Sequence, residues 1–563
     1  MTPRSPTSPG AGLRRVAGLV ALAALPTAVL VVFFVVPVAG MVSRGFVVDG
    51  PGGPSVDVGG VLEVLGRDRT RRVLWFTVWS AAAGTAVSVL LGLPAAYALH
   101  RLEFPGRRLL RAAVIVPFVL PTVVVGVAFR ELLGESGPVV RWLGVELDGT
   151  ATAIVLGLAF FNVSVVVRVV GAAWESLDPR PGEAAAVLGA SPVRVLATVT
   201  WPQLRPAVVS AATVVFLFCA TAFGVVLTLG GLRYSSVETE IYLLTTDLLD
   251  LQGAAALSLL QLVAVVALML LVGRLRPAGD GRVSRVVARP RRPRRGDAAA
   301  LVLTGLAVLL LAAPVAALVV GSLQGPDGWS LVHYRALTST GEDAWTGSSA
   351  ADALVTSLRT SIDATWMSLL LGGLVAVLLS RRSRTRGERR VRRLLDGLFM
   401  LPLGVSAVTL GFGFLITLDS DLLDLRDSPL LVPIAQALVA LPLVVRTLLP
   451  VLAGIDDRQR QAAASLGAGA WRTFLTVDVP VAWRPLLACA GFAFAVSLGE
   501  FGATSFLARP DDPTLPVVIY RLLSRPGDET FGTALAASVV LAAVTAAVML
   551  LVERLRVRNL GAW

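Results

Sequence analysis

The chain has 563 residues, of which 55% are hydrophobic and 16% charged, and its mean hydropathy is +0.76. Soluble domains carry about 25% charged residues, so this composition excludes a disordered chain and a soluble multidomain enzyme, and it points to a bilayer. All 50 basic residues are arginine, set against 38 acids for a net charge of +12, and two cysteines with two histidines leave no material for a disulfide framework or a histidine-rich metal centre.

In chain order, a window of about 20 residues, enough helix to cross about 30 Å of hydrocarbon, predicts twelve spans. The first six lie near 16–43, 73–99, 112–133, 151–174, 206–229 and 253–273. The second six lie near 298–322, 355–380, 394–417, 429–452, 485–507 and 532–552. Backbone polar groups in lipid must be paired within each segment, so every span is expected to be helical. The first span is too long for a signal-peptide core and is read as a retained anchor. The expected organisation is a tail (1–15), a first half (16–273), a basic linker (274–297), a second half (298–552) and a tail (553–563).

Arginine placement orients the chain. With the N-terminus in the cytoplasm, arginine outnumbers acids on the cytoplasmic side and acids outnumber arginine outside, as the positive-inside rule requires. Both termini are then cytoplasmic. The runs at 289–295 and 381–393 read as topology determinants against anionic headgroups, and no nucleic-acid partner is expected.

The two halves repeat. Leu177-Asp178-Pro-Arg-Pro-Gly-Glu183-Ala184-Ala185-Ala-Val-Leu-Gly189, followed by Pro202, recurs 278 residues later as Ile455-Asp456-Asp-Arg-Gln-Arg-Gln461-Ala462-Ala463-Ala-Ser-Leu-Gly467, followed by Pro480. Phe223-Gly224 recurs at this offset as Phe501-Gly502, and Arg168 as Arg446. Pro117, Gly126 and Phe129 recur as Pro402, Gly411 and Phe414, 285 residues on. Six spans per half make the copies parallel. The expected fold is an all-α integral membrane protein, twelve helices in two parallel six-helix repeats with pseudo-two-fold symmetry.

Each repeated segment (175–205 and 453–484) falls between the fourth and fifth spans of its half, on the cytoplasmic side. The small and apolar residues suit a short surface helix that ends at a glycine with positive φ. A chain that only turned back into the membrane could do so in a few residues. Two ordered loops of this length suggest docking surfaces for a cytoplasmic partner, set against helices that merely stabilise the bundle.

Ionisable groups in spans cost on the order of 2.5–3.5 kcal/mol each, so each needs a reason. Arg168 and Arg446 can snorkel to headgroups or brace the loops that follow them. Arg359 and Asp363 are four apart on one helical face and are expected to pair. Glu500 replaces Ala222 of the first half, and facing the central pathway it would attract a cationic cargo; a hydrogen bond within the bundle is the other reading. Pro117, Pro121 and Pro402 mark helix breaks that could line a cavity or make packing kinks.

Glu183-Ala-Ala, Gly189 and Val199-Thr-Trp-Pro202 resemble the EAA motif (E-A-A, three residues, G, nine residues, I-x-L-P) of permease subunits of bacterial type I ABC importers. Gln461-Ala-Ala, Gly467 and Val477-Asp-Val-Pro480 fit the same template, with glutamine at the first position; Trp201 replaces the usual leucine in the first copy. The resemblance implies that both loops couple to two cytoplasmic ATP-binding subunits. Those subunits would bind the ATP and magnesium, with no cofactor in this chain. It also implies an extracytoplasmic solute-binding protein and a place in the bacterial cytoplasmic membrane. Without lysine the chain cannot contain a P-loop, so it is expected to be a transport subunit with no ATPase site.

Twelve spans in one chain look like the fused iron(III) and thiamine permeases. The stretch 216–231, Val237-Glu-Thr-Glu-Ile-Tyr242 and Thr514-Leu-Pro-Val-Val-Ile-Tyr520 resemble the thiamine type, while Ser497-Leu-Gly-Glu-Phe-Gly-Ala-Thr504 is also similar to molybdate and sulfate permeases. Thiamine is the cargo this resemblance favours, with iron(III) next. The alternative is a gradient-driven secondary transporter, which explains the repeat but gives no reason for the paired loops. No acid or histidine cluster on the spans supports a membrane enzyme.

Overall fold

The computed structural model describes residues 22–50, 53–114, 116–231, 233–275, 290–339, 348–381, 386–420, 423–425 and 428–557. The tail 1–15, most of the linker 274–297 and the end of the tail 553–563 lie outside the described residues. Among those described, ten helices are long and apolar enough to cross a membrane. In the first half they are Leu22–Phe46, Asp68–Arg101, Ala151–Ser176, Pro192–Ala220 and Leu251–Leu270. In the second they are Arg295–Ser322, Ala350–Ser380, Leu431–Ala453, Ala470–Leu498 and Asp528–Val552. Hydroxyls inside them bond back to carbonyls one turn earlier, as in Thr77 to Val73, Thr85 to Ala81 and Ser88 to Gly84, which pairs groups that lipid could not hydrate.

The expected third and ninth spans are not single helices. The third is two pieces, Arg107–Val119 and Thr122–Leu143, bent by 108°. The ninth divides into Arg386–Met400, a 3-10 turn Leu401–Gly404 and a helix Ala407–Thr417. Pro121 and Pro402 lack an N–H and clash with the carbonyl one turn back. The Ser406 hydroxyl then opens the new helix by accepting the Thr409 N–H at 2.9 Å.

The fifth and eleventh spans are shifted from 206–229 and 485–507. Their helices start inside the duplicated loops and end at Ala220 and Leu498, ahead of the short helices Gly224–Leu229 and Thr504–Leu507. The Phe-Gly repeat explains this break. A Cβ on Gly224 would lie 2.3 Å from the Thr122 hydroxyl, and one on Gly502 would lie 3.0 Å from Ala407 Cβ. In each half the glycine lets this turn cross the start of the broken helix.

The described chain forms two compact units, and these are not the two sequence halves. One comprises residues 22–44, 352–514 and 544–557; the other comprises 45–351 and 515–543 within the described residues. In the first unit the N-terminal helix packs into the second half: Leu30 and Phe34 are buried with Phe399, Leu410 and Phe414, and the Phe33 and Phe414 rings lie 5.9 Å apart. In the second unit Ala307 and Leu311, from the first helix of the second half, are buried with Val125, Phe129, Leu158 and Phe160. Phe129 meets Phe160 edge-on at 5.8 Å. Each repeat therefore lends its opening helix to the other unit.

Candidate functional site

The two duplicated loops have one construction. Asp178 and Asp456 accept the N–H groups of Arg180 and Arg458, both at 3.0 Å, and so open the short helices Arg180–Val187 and Asp457–Ser465. These end at Gly189 and Gly467, with φ of +85° and +81°, a left-handed conformation that costs about 1–2 kcal/mol for a residue with a Cβ. An added Cβ would meet no atom within 4 Å at either site, so the demand for glycine is conformational. The Ala190 and Ala468 N–H groups close the ends on the Ala185 and Ala463 carbonyls, each at 3.0 Å.

A second helix then starts at Pro192 or Ala470 and passes through a wide π turn, Leu196–Thr200 or Phe474–Asp478. Trp201 and Val479 donate to carbonyls five residues back, Leu196 and Phe474, and the next residue is Pro202 or Pro480. A proline in an unbroken α-helix would strike the carbonyl four back; the extra residue per turn removes that clash. The same arrangement occurs at Val31–Val35 ahead of Pro37. The π turns thus let a single helix run from each loop past its proline and into the apolar bundle.

Glu183, Ala184, Gly189 and Pro202 are exposed, as are Gln461, Ala462, Gly467 and Pro480; Ala185 and Ala463 are half-buried. Glu183 makes no ion pair among the described residues. The loops also expose apolar side chains. Val187 and Leu188 are each 87% exposed and Leu466 89%, with Val193 and Trp471 also open. Large aliphatic groups this open, at equivalent places in two loops, leave apolar surface uncovered.

The loops differ in their tethers. Asp478, 1% exposed, accepts from Arg381 at 2.7 Å and from Arg460 at 2.8 Å. Arg460 also donates to the Leu452 carbonyl at 3.0 Å and to Asp457 at 3.2 Å. This cluster ties the second short helix to the ends of two long ones. At the same positions the first loop has Gly182 and Thr200. Sequence reasoning missed the cluster; its signal was charge at 460 and 478 facing uncharged residues 278 earlier.

The other charged residues take definite places. Arg168 is exposed, and Arg446, also exposed, directs its Nε to Met400 Sδ at 3.2 Å; no bond from either to the duplicated loops is found among the described residues. Arg359 and Asp363 do not pair as expected: Asp363 instead accepts the Trp366 indole N–H, three residues on along the same helix, at 3.2 Å. Glu500 is buried, and its carboxylate accepts the N–H groups of Ala503 at 2.7 Å and Thr504 at 3.0 Å. It caps the short helix 504–507, whose first N–H groups have no helical partner.

Residues 88–284 and 368–559 both match the family described as binding-protein-dependent transport system inner membrane component. The chain belongs to this family of permeases. Two matches in one chain make it a fused, two-half permease, and its apolar helices make it a multi-pass inner membrane protein. The thiamine transport system permease protein ThiP of Brucella abortus (strain 2308) is 30% identical over 498 residues, 86% of this permease and 87% of the relative. Its counterpart of the same name in Escherichia coli (strain K12) is 28% identical over 458 residues, 80% and 83% of the two chains. A probable ABC transporter permease protein, y4fN, of Sinorhizobium fredii (strain NBRC 101917 / NGR234) is 26% identical over 525 residues, 88% and 89%.

Proposed function

We propose that this permease carries thiamine, delivered outside by a binding protein, into the cytoplasm, powered by two ATP-binding subunits beneath the duplicated loops. The similarity to ThiP proteins along most of both chains supports the cargo. The observation that carries the coupling role is the pair of loops with matching backbone, both leaving aliphatic side chains open to solvent. In this reading the loops, both termini and the arginine runs are cytoplasmic. Partner subunits hold the ATP and magnesium. Closure of their dimer favours one of two membrane states, and opening favours the other. Arg168 and Arg446 anchor their helices at headgroup level, and Glu500 shapes the pathway by fixing the 500–504 turn without touching cargo.

The test is thiamine uptake into vesicles carrying the full assembly. Uptake is expected to require ATP and to survive an ionophore; uptake that persists without ATP and collapses with an ionophore overturns the reading in favour of a gradient-driven carrier. Gly189→Arg and Gly467→Arg are each expected to abolish co-purification of the ATP-binding subunits. Retention of those subunits by both variants removes the loops from the coupling role.

A further inference from the structure

Within the unit that contains residues 45–351 and 515–543, two tyrosines from equivalent positions of the repeats touch. Tyr242 lies on the helix Val237–Thr246 and Tyr520 on the helix Leu515–Leu523, 278 residues apart. Their rings stand edge to face, 6.5 Å between centroids and 84° between planes. Phe223, from the repeated Phe-Gly turn, packs against Tyr242 in a tilted contact at 5.4 Å and 59°. Each tyrosine is followed one turn later by a hydroxyl residue, Thr246 and Ser524, again 278 apart. A contact between equivalent residues of parallel repeats is what a pseudo-two-fold axis produces.

Both rings are half-buried, open enough for a ligand to reach a face. Asp247 follows the Tyr242 helix directly, and the Thr246 hydroxyl links the two by donating to the Tyr242 carbonyl at 2.9 Å and to the Asp247 carboxylate at 3.3 Å; Arg521 is the residue next to Tyr520. Asp247 sits in a short exposed turn held by bonds from Leu248 to Leu243 and from Asp250 to Leu244, with Leu249 forced to a φ of +55°. Strain of this kind in a non-glycine residue persists only where the surroundings fix it. In chain order each tyrosine follows the long helix that begins in the duplicated loop of its own repeat.

We propose that Tyr242 and Tyr520, with Asp247 as counter-charge, form the contact at which this permease receives a flat organic cation. The quadrupole of each ring presents negative charge on its face, which attracts a desolvated cation, and an aromatic cation adds stacking that a hydrated metal ion cannot supply. A cargo ring entering here replaces the tyrosine–tyrosine contact with two ring–cation contacts. Asp247, exposed in the turn that follows the Tyr242 helix, draws the cation toward the rings. This inference rests on the cargo reading above and names the residues that read that cargo.

The experiment is thiamine uptake by the full assembly in vesicles, comparing Tyr242→Ala, Tyr520→Ala, Tyr242→Phe, Tyr520→Phe and Asp247→Asn. Co-purification of the ATP-binding subunits serves as the check that each variant folds. Both alanine variants are expected to lose at least about tenfold in uptake, and both phenylalanine variants to stay within about threefold, because the ring face survives without the hydroxyl. Asp247→Asn is expected to lose about threefold, and less at high salt as screening grows. Alanine variants that fold and transport normally overturn the inference and leave the cargo reading standing; so does equal damage from phenylalanine and alanine, which would place the effect in the hydroxyls. A wild-type assembly that moves no thiamine defeats the cargo reading itself.

Discussion

The first and second duplicated loops share a backbone and differ in what holds it. Glycine at positive φ, a closing bond of 3.0 Å, and a π turn ahead of a proline recur in both. The second alone is fastened by Asp478 between Arg381 and Arg460. The local geometry, which depends on single residues such as the positive-φ glycines, is the same in both loops, while the electrostatic support differs. The second loop is clamped through Asp478; the first, with Gly182 and Thr200 at those positions, is tied instead at its entry, where Glu175 meets His100 and Arg111, each at 2.9 Å.

That contrast can be broken or sharpened by substitution. The largest effect is expected for Asp478→Ala. It leaves two guanidinium groups without their shared counter-charge, and breaking a buried pair costs about 3–5 kcal/mol. A thermal melt of the purified chain in detergent should fall clearly; an unchanged melt would mean the cluster bears no load. Next come Gly189→Ala and Gly467→Ala, expected to cost about 1–2 kcal/mol each, because the left-handed conformation is the same in both loops. Similar drops in melting would confirm the shared geometry, and a much larger one in the first loop would show that its missing tether makes it the weaker of the two. The smallest change belongs to Thr200→Ala, expected within about 0.5 kcal/mol of the parent because the half-buried Thr200 carries no charge to leave unpaired; a loss near that of Asp478→Ala would erase the distinction.

How much the sequence discloses follows the same divide. The loops were legible because their structure is local: Asp178 and Asp456 cap, Gly189 and Gly467 end the helix, and a 278-residue echo marks both. The hydropathy window joined the pieces of the third and ninth spans because it counts apolar residues without regard to direction, although Pro121 and Pro402 marked the breaks. It also ran past Ala220 and Leu498, since the crossing at Gly224 and Gly502 depends on Thr122 and Ala407 far away in sequence. Glu500 drew attention as a lone carboxylate in an apolar stretch, yet its partners are the N–H groups three and four residues on. The Asp478 cluster joins residues nearly a hundred apart, a pairing that neither spacing nor composition announces. The partner of an apolar helix is hidden in the same way, for nothing in the Leu22–Phe46 segment specifies that Phe34 belongs beside Phe399.

The lent opening helices bear on how the protein is made. Residues 22–44 leave the ribosome early, but the surfaces they pack against start at Asp352. At about 10 residues per second, that helix waits in the lipid for roughly half a minute before its neighbours are synthesised. Severing the gene in the linker would therefore not yield two self-sufficient products. Each fragment would carry a segment that completes the other, and assembly would have to occur between freshly inserted, unfinished bundles.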